Sequence, residues 1–205
     1  SAKERPGILI GRRGIHQHGA PAVRRSQSLI AARRRIAGQR CALSAGKAGD
    51  FSFSPAVVGN AVFVAAADGT VNKLEDGKSV WKIKAGQPLS AGVGANNRLV
   101  VVGTSKGDVL AFSAEDGKPI WQAKVTSEVL AAPTVGDQGV AVKSGDNRVF
   151  LLDASDGGRK WVYQRSTPPL SIRSAGSPVF ADQYIFVGFP GGKLVALSIQ
   201  NGAPV

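Results

Sequence analysis

The chain has 205 residues, 43% of them hydrophobic, enough for a sizeable core, and no apolar stretch approaches the roughly 18 residues of a membrane span. Its single cysteine, Cys41, excludes an internal disulfide and any multi-cysteine metal site. The net charge of +12 invites a nucleic-acid reading, yet residues 1–50 hold 11 Lys/Arg against Glu4 and Asp50, whereas residues 51–205 hold 15 against 12 acids. The surplus therefore belongs to the first segment, and no specific nucleic-acid binding is expected of the rest.

Residues 1–44 form that first segment: basic, poor in acids, without repeat or strand alternation. Three readings stand side by side: a disordered arm that meets phosphates or anionic lipid nonspecifically, a transit-peptide-like stretch, and sequence that is not native to the protein. Ser26–Arg35 fits one basic helix, but Leu29, Ile30 and Ile36 are too few for an apolar face. His16 and His18 lie here without carboxylate or cysteine partners, so no metal site is expected. Gly38-Gln39-Arg40 before Cys41 lacks the small residues of a lipid-attachment signal, and a lipid anchor is not recognisable.

From residue 45 the pattern changes to a repeat. Trp81, Trp121 and Trp161 are the only tryptophans, spaced 40 residues apart, each five residues after an Asp-Gly pair (Asp76-Gly77, Asp116-Gly117, Asp156-Gly157). Each copy holds four short runs: a leading segment such as residues 54–60, a β-branched run such as Val62–Ala66 or Leu99–Gly103, a second run after a Gly-bearing turn, and a third ending on tryptophan. Runs this short, rich in valine and bounded by Gly and Asp/Asn, predict strands joined by hairpins. A four-stranded unit every ~40–45 residues is the period of a β-propeller blade. Such a blade has two apolar faces and must stack on neighbours.

The predicted fold is all-β: a propeller of four-stranded antiparallel blades near 45–85, 86–125, 126–165 and 166–205. On this reading the three tryptophans are wedges between blades, each indole removing roughly 150–250 Å² from water. In the fourth copy Asn201-Gly202 replaces Asp-Gly, and the spacing predicts a tryptophan just after Val205 in a longer protein. Gly103–Gly107 lacks the Walker spacing and a following helix, so it reads as a strand-connecting turn, as does Gly188–Lys193 in the fourth copy.

One connection departs from the period. From Trp121 to Pro133 is 12 residues, from Trp161 to Pro178 is 17. Extra length in an array maps to a loop on one face, often the binding face. Thr167-Pro168-Pro169 stiffens its start, and Leu170, Ile172 and Arg173 follow. Two readings are open from the residues: Leu170 and Ile172 plug the gap between blades, or they are exposed anchors for a partner.

The repeats ending in (Asp/Asn)-Gly-Lys-x-x-Trp resemble the pyrroloquinoline-quinone-type propeller repeat. More narrowly, residues 54–71 and the segment STPPLSIRSAGSPVF at 166–180 resemble the family of the outer-membrane protein assembly factor BamB. The resemblance covers about 45–205 and implies an eight-bladed ring, about four blades of which are present here. It further implies a non-enzymatic lipoprotein scaffold, without cofactor, at the periplasmic face of the outer membrane of a Gram-negative bacterium. Its implied partners are the POTRA domains of the central barrel subunit, with unfolded outer-membrane proteins as further clients. Leu170, Ile172 and Arg173 would then be the partner contacts. The alternatives are a quinone-dependent dehydrogenase on the same repeat and a generic propeller interaction platform. Against the first, Asp76, Asp116 and Asp156 are explained by turn chemistry, and one cysteine cannot form the vicinal disulfide of the alcohol-oxidising members.

Overall fold

The computed structural model describes residues 53–165 and 176–205. Among these residues fifteen strands form four antiparallel sheets, each built from strands consecutive in the chain. Blade 1 comprises β1 (Ala56–Val58), β2 (Ala61–Ala65), β3 (Thr70–Glu75) and β4 (Lys78–Lys84). Blade 2 comprises β5 (Gly94–Ala95), β6 (Leu99–Gly103), β7 (Asp108–Ser113) and β8 (Pro119–Lys124). Blade 3 follows with β9 (Thr134–Gly136), β10 (Gly139–Lys143), β11 (Arg148–Leu152) and β12 (Arg159–Gln164). Among the described residues blade 4 comprises β13 (Val179–Ala181), β14 (Tyr184–Phe189) and β15 (Lys193–Ser198), with the bridge Leu197–Pro204 after the Asn201-Gly202 turn.

Both faces of the inner strands are apolar, so each blade buries itself against its neighbours. Phe63, Ala65 and Val71 of blade 1 pack with Val100, Val102, Leu110 and Phe112 of blade 2. The opposite face of blade 2 (Val101, Val109, Ala111) packs with Val140, Val142 and Phe150 of blade 3. Blade 3 in turn lays Ala141, Val149 and Leu151 against Ile185, Val187, Phe189 and Leu197 of blade 4. These three seams are the core. The leading strands β1, β5, β9 and β13 meet in that order along one side, and β5 and β9 approach so closely that a Cβ on Gly94 would lie 2.0 Å from the Pro133 carbonyl oxygen.

The turns divide into two sets by conformation. In blade 1 both Asp76 (φ 47°) and Gly77 (φ 78°) adopt left-handed conformations, giving a two-residue hairpin closed by Glu75 and Lys78. Of the Asp-Gly pairs in blades 2 and 3 only the glycines do so, Gly117 (φ 73°) and Gly157 (φ 75°), within longer turns. The outer strand of each four-stranded blade then carries one irregularity: Trp81 pairs Lys73 and Ser79 pairs Leu74, with the same slip at Trp121 and Trp161. The residue before each tryptophan is thus unpaired, a β-bulge, and Val80 and Ile120 point outward.

Candidate functional site at the seam between blades 3 and 4

Each bulge turns its indole toward the next blade. Trp81 donates Nε1–H to the Ala114 carbonyl (3.3 Å), Trp121 to Ala154 (2.9 Å) and Trp161 to Ile199 (2.8 Å). The glycine of the next blade's turn lies flat on the ring: a Cβ at Gly157 would stand 2.6 Å from Trp121 Cε3, and one at Gly202 2.7 Å from Trp161 Cδ2. The Asp-Gly turn and the tryptophan thus meet across the seam, each turn seating the indole of the preceding blade. The rings are half-buried.

At the opposite end of each seam the chain crosses from an outer strand to the next blade's first strand. In the first two crossings an aliphatic residue closes the seam: Leu89 and Val129 are fully buried. Backbone hydrogen bonds fasten these crossings, Ser90 N–H to Gly103 O (3.0 Å) and Val129 N–H to Thr104 O (3.0 Å), and the Ser90 hydroxyl donates to Val129 O (2.6 Å). The plug demands space beneath it. A Cβ at Gly103 would lie 2.4 Å from Val129 Cγ1, which accounts for glycine at the end of β6.

The third crossing is the long one. Leu170, Ile172 and Arg173 lie outside the described residues, but both ends are fixed. Gly103 of β6 corresponds in register to Lys143 of β10, since Gly103 pairs Val109 and Lys143 pairs Val149. Lys143 is fully buried, and its Nζ crosses the seam to donate to Gly188 O (2.6 Å). Gly188 in blade 4 stands where Gly103 stands in blade 2, so a lysine ammonium reaches the carbonyl position that the Ser90 backbone reaches two seams earlier. Burial pushes the Lys143 pKa down.

Phe189 gathers the rest. Its ring centroid is 5.3 Å from Lys143 Nζ, 6.0 Å from the Arg165 guanidinium carbon and 6.1 Å from the Tyr163 ring, which meets it edge-on. Arg165 leads into the long crossing. On its far side, Thr134 of blade 3 donates its hydroxyl to the Pro178 carbonyl (2.6 Å). Reading the sequence missed Lys143, Arg165 and Phe189. The available signal was a lysine ending a β-strand run whose counterparts end in Ala65 and Gly103.

This arrangement, four-stranded antiparallel blades locked by a tryptophan and a glycine turn, defines the class as propeller-type repeat proteins. The family model for "Outer membrane protein assembly factor BamB" matches residues 67–205, and the chain belongs to this family. The relative from Pseudomonas aeruginosa is 54% identical over 153 residues, 74% of this chain and 40% of that protein. The one from Burkholderia pseudomallei is 44% identical over 164 residues, 78% of this chain and 43% of that protein. The chain thus spans about two fifths of the length of the curated relatives it matches. Among solved structures, BamB from Moraxella catarrhalis superimposes with a TM-score of 0.70 at 26% identity, covering 77% of this chain and 49% of that one. A europium-containing methanol dehydrogenase, at 17% identity and a TM-score of 0.59 over 73% of this chain and 40% of that one, shares the fold alone.

Proposed function

We propose that this chain is part of a non-enzymatic scaffold subunit of the machinery that assembles outer-membrane β-barrels, working at the periplasmic face of the outer membrane. In this reading it binds the POTRA domains of the central barrel subunit and helps outer-membrane proteins, its further clients, to fold and insert. Membership of the BamB family carries the reading. The long crossing after Trp161 is the binding element, with Leu170 and Ile172 as apolar anchors and Arg173 making a directional contact to a carboxylate or carbonyl. The break in the repeat supports this choice, because the two shorter crossings spend their aliphatic residues, Leu89 and Val129, on closing the seam.

The test is the double variant Leu170→Ala/Arg173→Ala in the full-length protein, scored by co-purification with the barrel subunit. Loss of at least tenfold in recovered complex is expected, on the order of two interface anchors. Undiminished recovery with the thermal transition intact rejects the reading.

A further inference from the structure

We infer that Asn201-Gly202, the one Asn-Gly pair of the sequence, is a latent self-modification site, silent while blade 4 seats the Trp161 indole and converted to aspartate or isoaspartate when that seam opens. The inference goes beyond the proposed function and does not depend on it. An asparagine followed by glycine is open to attack by its own backbone, because no side chain hinders the next nitrogen. The Gly202 nitrogen forms a bond to Asn201 Cγ, the bond from Cγ to the side-chain nitrogen breaks, and ammonia leaves with the proton that the backbone amide gave up. Water then opens the five-membered imide at either carbonyl, yielding aspartate or, with the backbone rerouted through the side chain, isoaspartate. Water is the only reagent consumed.

The seated turn restrains both reacting groups. Gly202 N–H donates to Ser198 O (2.8 Å), which holds the nucleophile's proton, and Asn201 Oδ1 accepts from Ala203 N–H (3.0 Å), which holds the carboxamide. Gly202 is buried against the indole, and Trp161 Nε1–H to Ile199 O (2.8 Å) ties the ring to the same turn. Attack on Cγ requires Gly202 to turn away from both Ser198 and the ring. Two earlier copies make this turn with aspartate. Asp116 Oδ1 accepts from Lys118 N–H (3.2 Å) and Asp156 Oδ1 from Gly158 N–H (2.7 Å), while Gly117 and Gly157 donate to Ser113 O (2.9 Å) and Asp153 O (3.0 Å). Aspartate at position 201 therefore fits the turn as it stands. Isoaspartate adds a carbon to the backbone before Gly202, at a place where even a Cβ would come within 2.7 Å of Trp161 Cδ2, so it prevents the seam from closing again.

The experiment incubates the full chain at mildly alkaline pH and follows Asn201 by peptide mass mapping, which reads amide-to-acid conversion, and by enzymatic methylation of isoaspartate. A synthetic peptide of residues 198–205 is the open reference. The chain should convert at least about tenfold more slowly than the peptide, since only its open fraction reacts. Trp161→Ala should accelerate conversion about tenfold, while Trp121→Ala, which loosens the neighbouring seam, should leave it within about threefold of the parent. Should Trp161→Ala fail to fold, Trp161→Phe and Trp121→Phe, which keep a ring but lose the indole N–H, take the place of the pair with the same ordering expected. Conversion of the parent as fast as the peptide overturns the inference. So does equal acceleration by the two tryptophan variants, which would assign the rate to global unfolding and not to this seam. Asn201→Asp tests the product: it should leave Tm within about 2 °C of the parent, and a larger fall overturns the fit of aspartate to the turn.

Discussion

The seam between blades 2 and 3 and the seam between blades 3 and 4 are copies of one repeat that end in different chemistry. Both are held at the outer rim by an indole, a carbonyl and a glycine turn, Trp121 with Ala154 and Gly157, Trp161 with Ile199 and Gly202. At the crossing end they diverge. Val129 closes the first over Gly103, whereas the second holds Lys143, Arg165, Tyr163 and Phe189. These two copies therefore share the half that the indole and the glycine turn hold and differ in the half where the crossing lies.

The comparison breaks most readily at the half that is shared. Trp121→Ala and Trp161→Ala should each destabilise the chain by about 3–5 kcal/mol, since each leaves a cavity beside a glycine turn and an unpaired carbonyl. Urea unfolding followed by circular dichroism measures both. Costs that differ by more than about 1 kcal/mol would show that the outer rims are not equivalent.

The divergent half is tested by exchange. Gly103→Lys should cost about 2–3 kcal/mol, because its Cβ would overlap Val129, only 2.4 Å away. Lys143→Gly should cost less, about 1–2 kcal/mol, through lost packing and an unmet Gly188 carbonyl. The reverse order would mean that Val129 yields easily and that the plug does not dictate glycine.

A third seam sharpens the contrast from the other side. Between blades 1 and 2, Lys73 stands in register where blade 2 has Ala111 and blade 3 has Leu151, each pairing its tryptophan. Lys73 Nζ pairs with Glu75 (2.9 Å) and lies 5.9 Å from the Phe63 ring centroid, beside a groove of about 480 Å³ that also reaches Asn96 and Glu115. Replacing a buried ion pair by apolar side chains is often neutral or favourable, and removing Lys73 alone leaves Glu75, 43% exposed, hydrated and not stranded in the core. Lys73→Leu should therefore leave stability unchanged or raise it by up to about 1 kcal/mol, read as a rise of a few degrees in Tm. A loss above about 1 kcal/mol would show that the charge is needed to hold this seam.

The smallest effect concerns the crossing rim. Lys84 and Thr70 hold the Asp68 carboxyl at about 2, below its ordinary 3.8, through hydrogen bonds that outweigh the opposing effect of burial. A depressed folded-state pKa contributes stability that is present above pH 3.8 and is lost as pH falls through about 2. The Lys84–Asp68 pair is solvent-exposed, so the contribution stays under about 1 kcal/mol. Asp68→Asn should flatten the urea midpoint between pH 4 and about 2; an unchanged slope would assign the acid sensitivity to other carboxylates.

Much of the fold was legible because its signals are local. Strand runs, Gly-bearing turns and the tryptophan period all lie within one copy of the repeat, and copying makes them audible above noise. The bulge before each tryptophan was not legible, since Val80 and Ile120 read as ordinary strand residues and only pairing with Lys73 and Ala111 shows the slip. The positive φ of Asp76, absent at Asp116 and Asp156, depends likewise on turn length. At the candidate site, the extra length after Trp161 was visible as arithmetic, whereas Leu170, Ile172 and Arg173 lie outside the described residues and their role is a proposal. Lys143 and Phe189 were not visible as partners, because they sit on different blades and meet only when the blades stack.

The sequence by itself determined the repeat unit, its all-β character, the family, and the place where the period lengthens, since each of these is written in residue order. Only the tertiary structure decided which glycine seats which indole, why Gly103 is glycine, and that Lys143 and Arg165 meet on the Phe189 ring. The reason is the same in each case: a seam is made by two blades, and its contacts join residues some 33 to 45 positions apart, a distance at which no local pattern in the chain carries information.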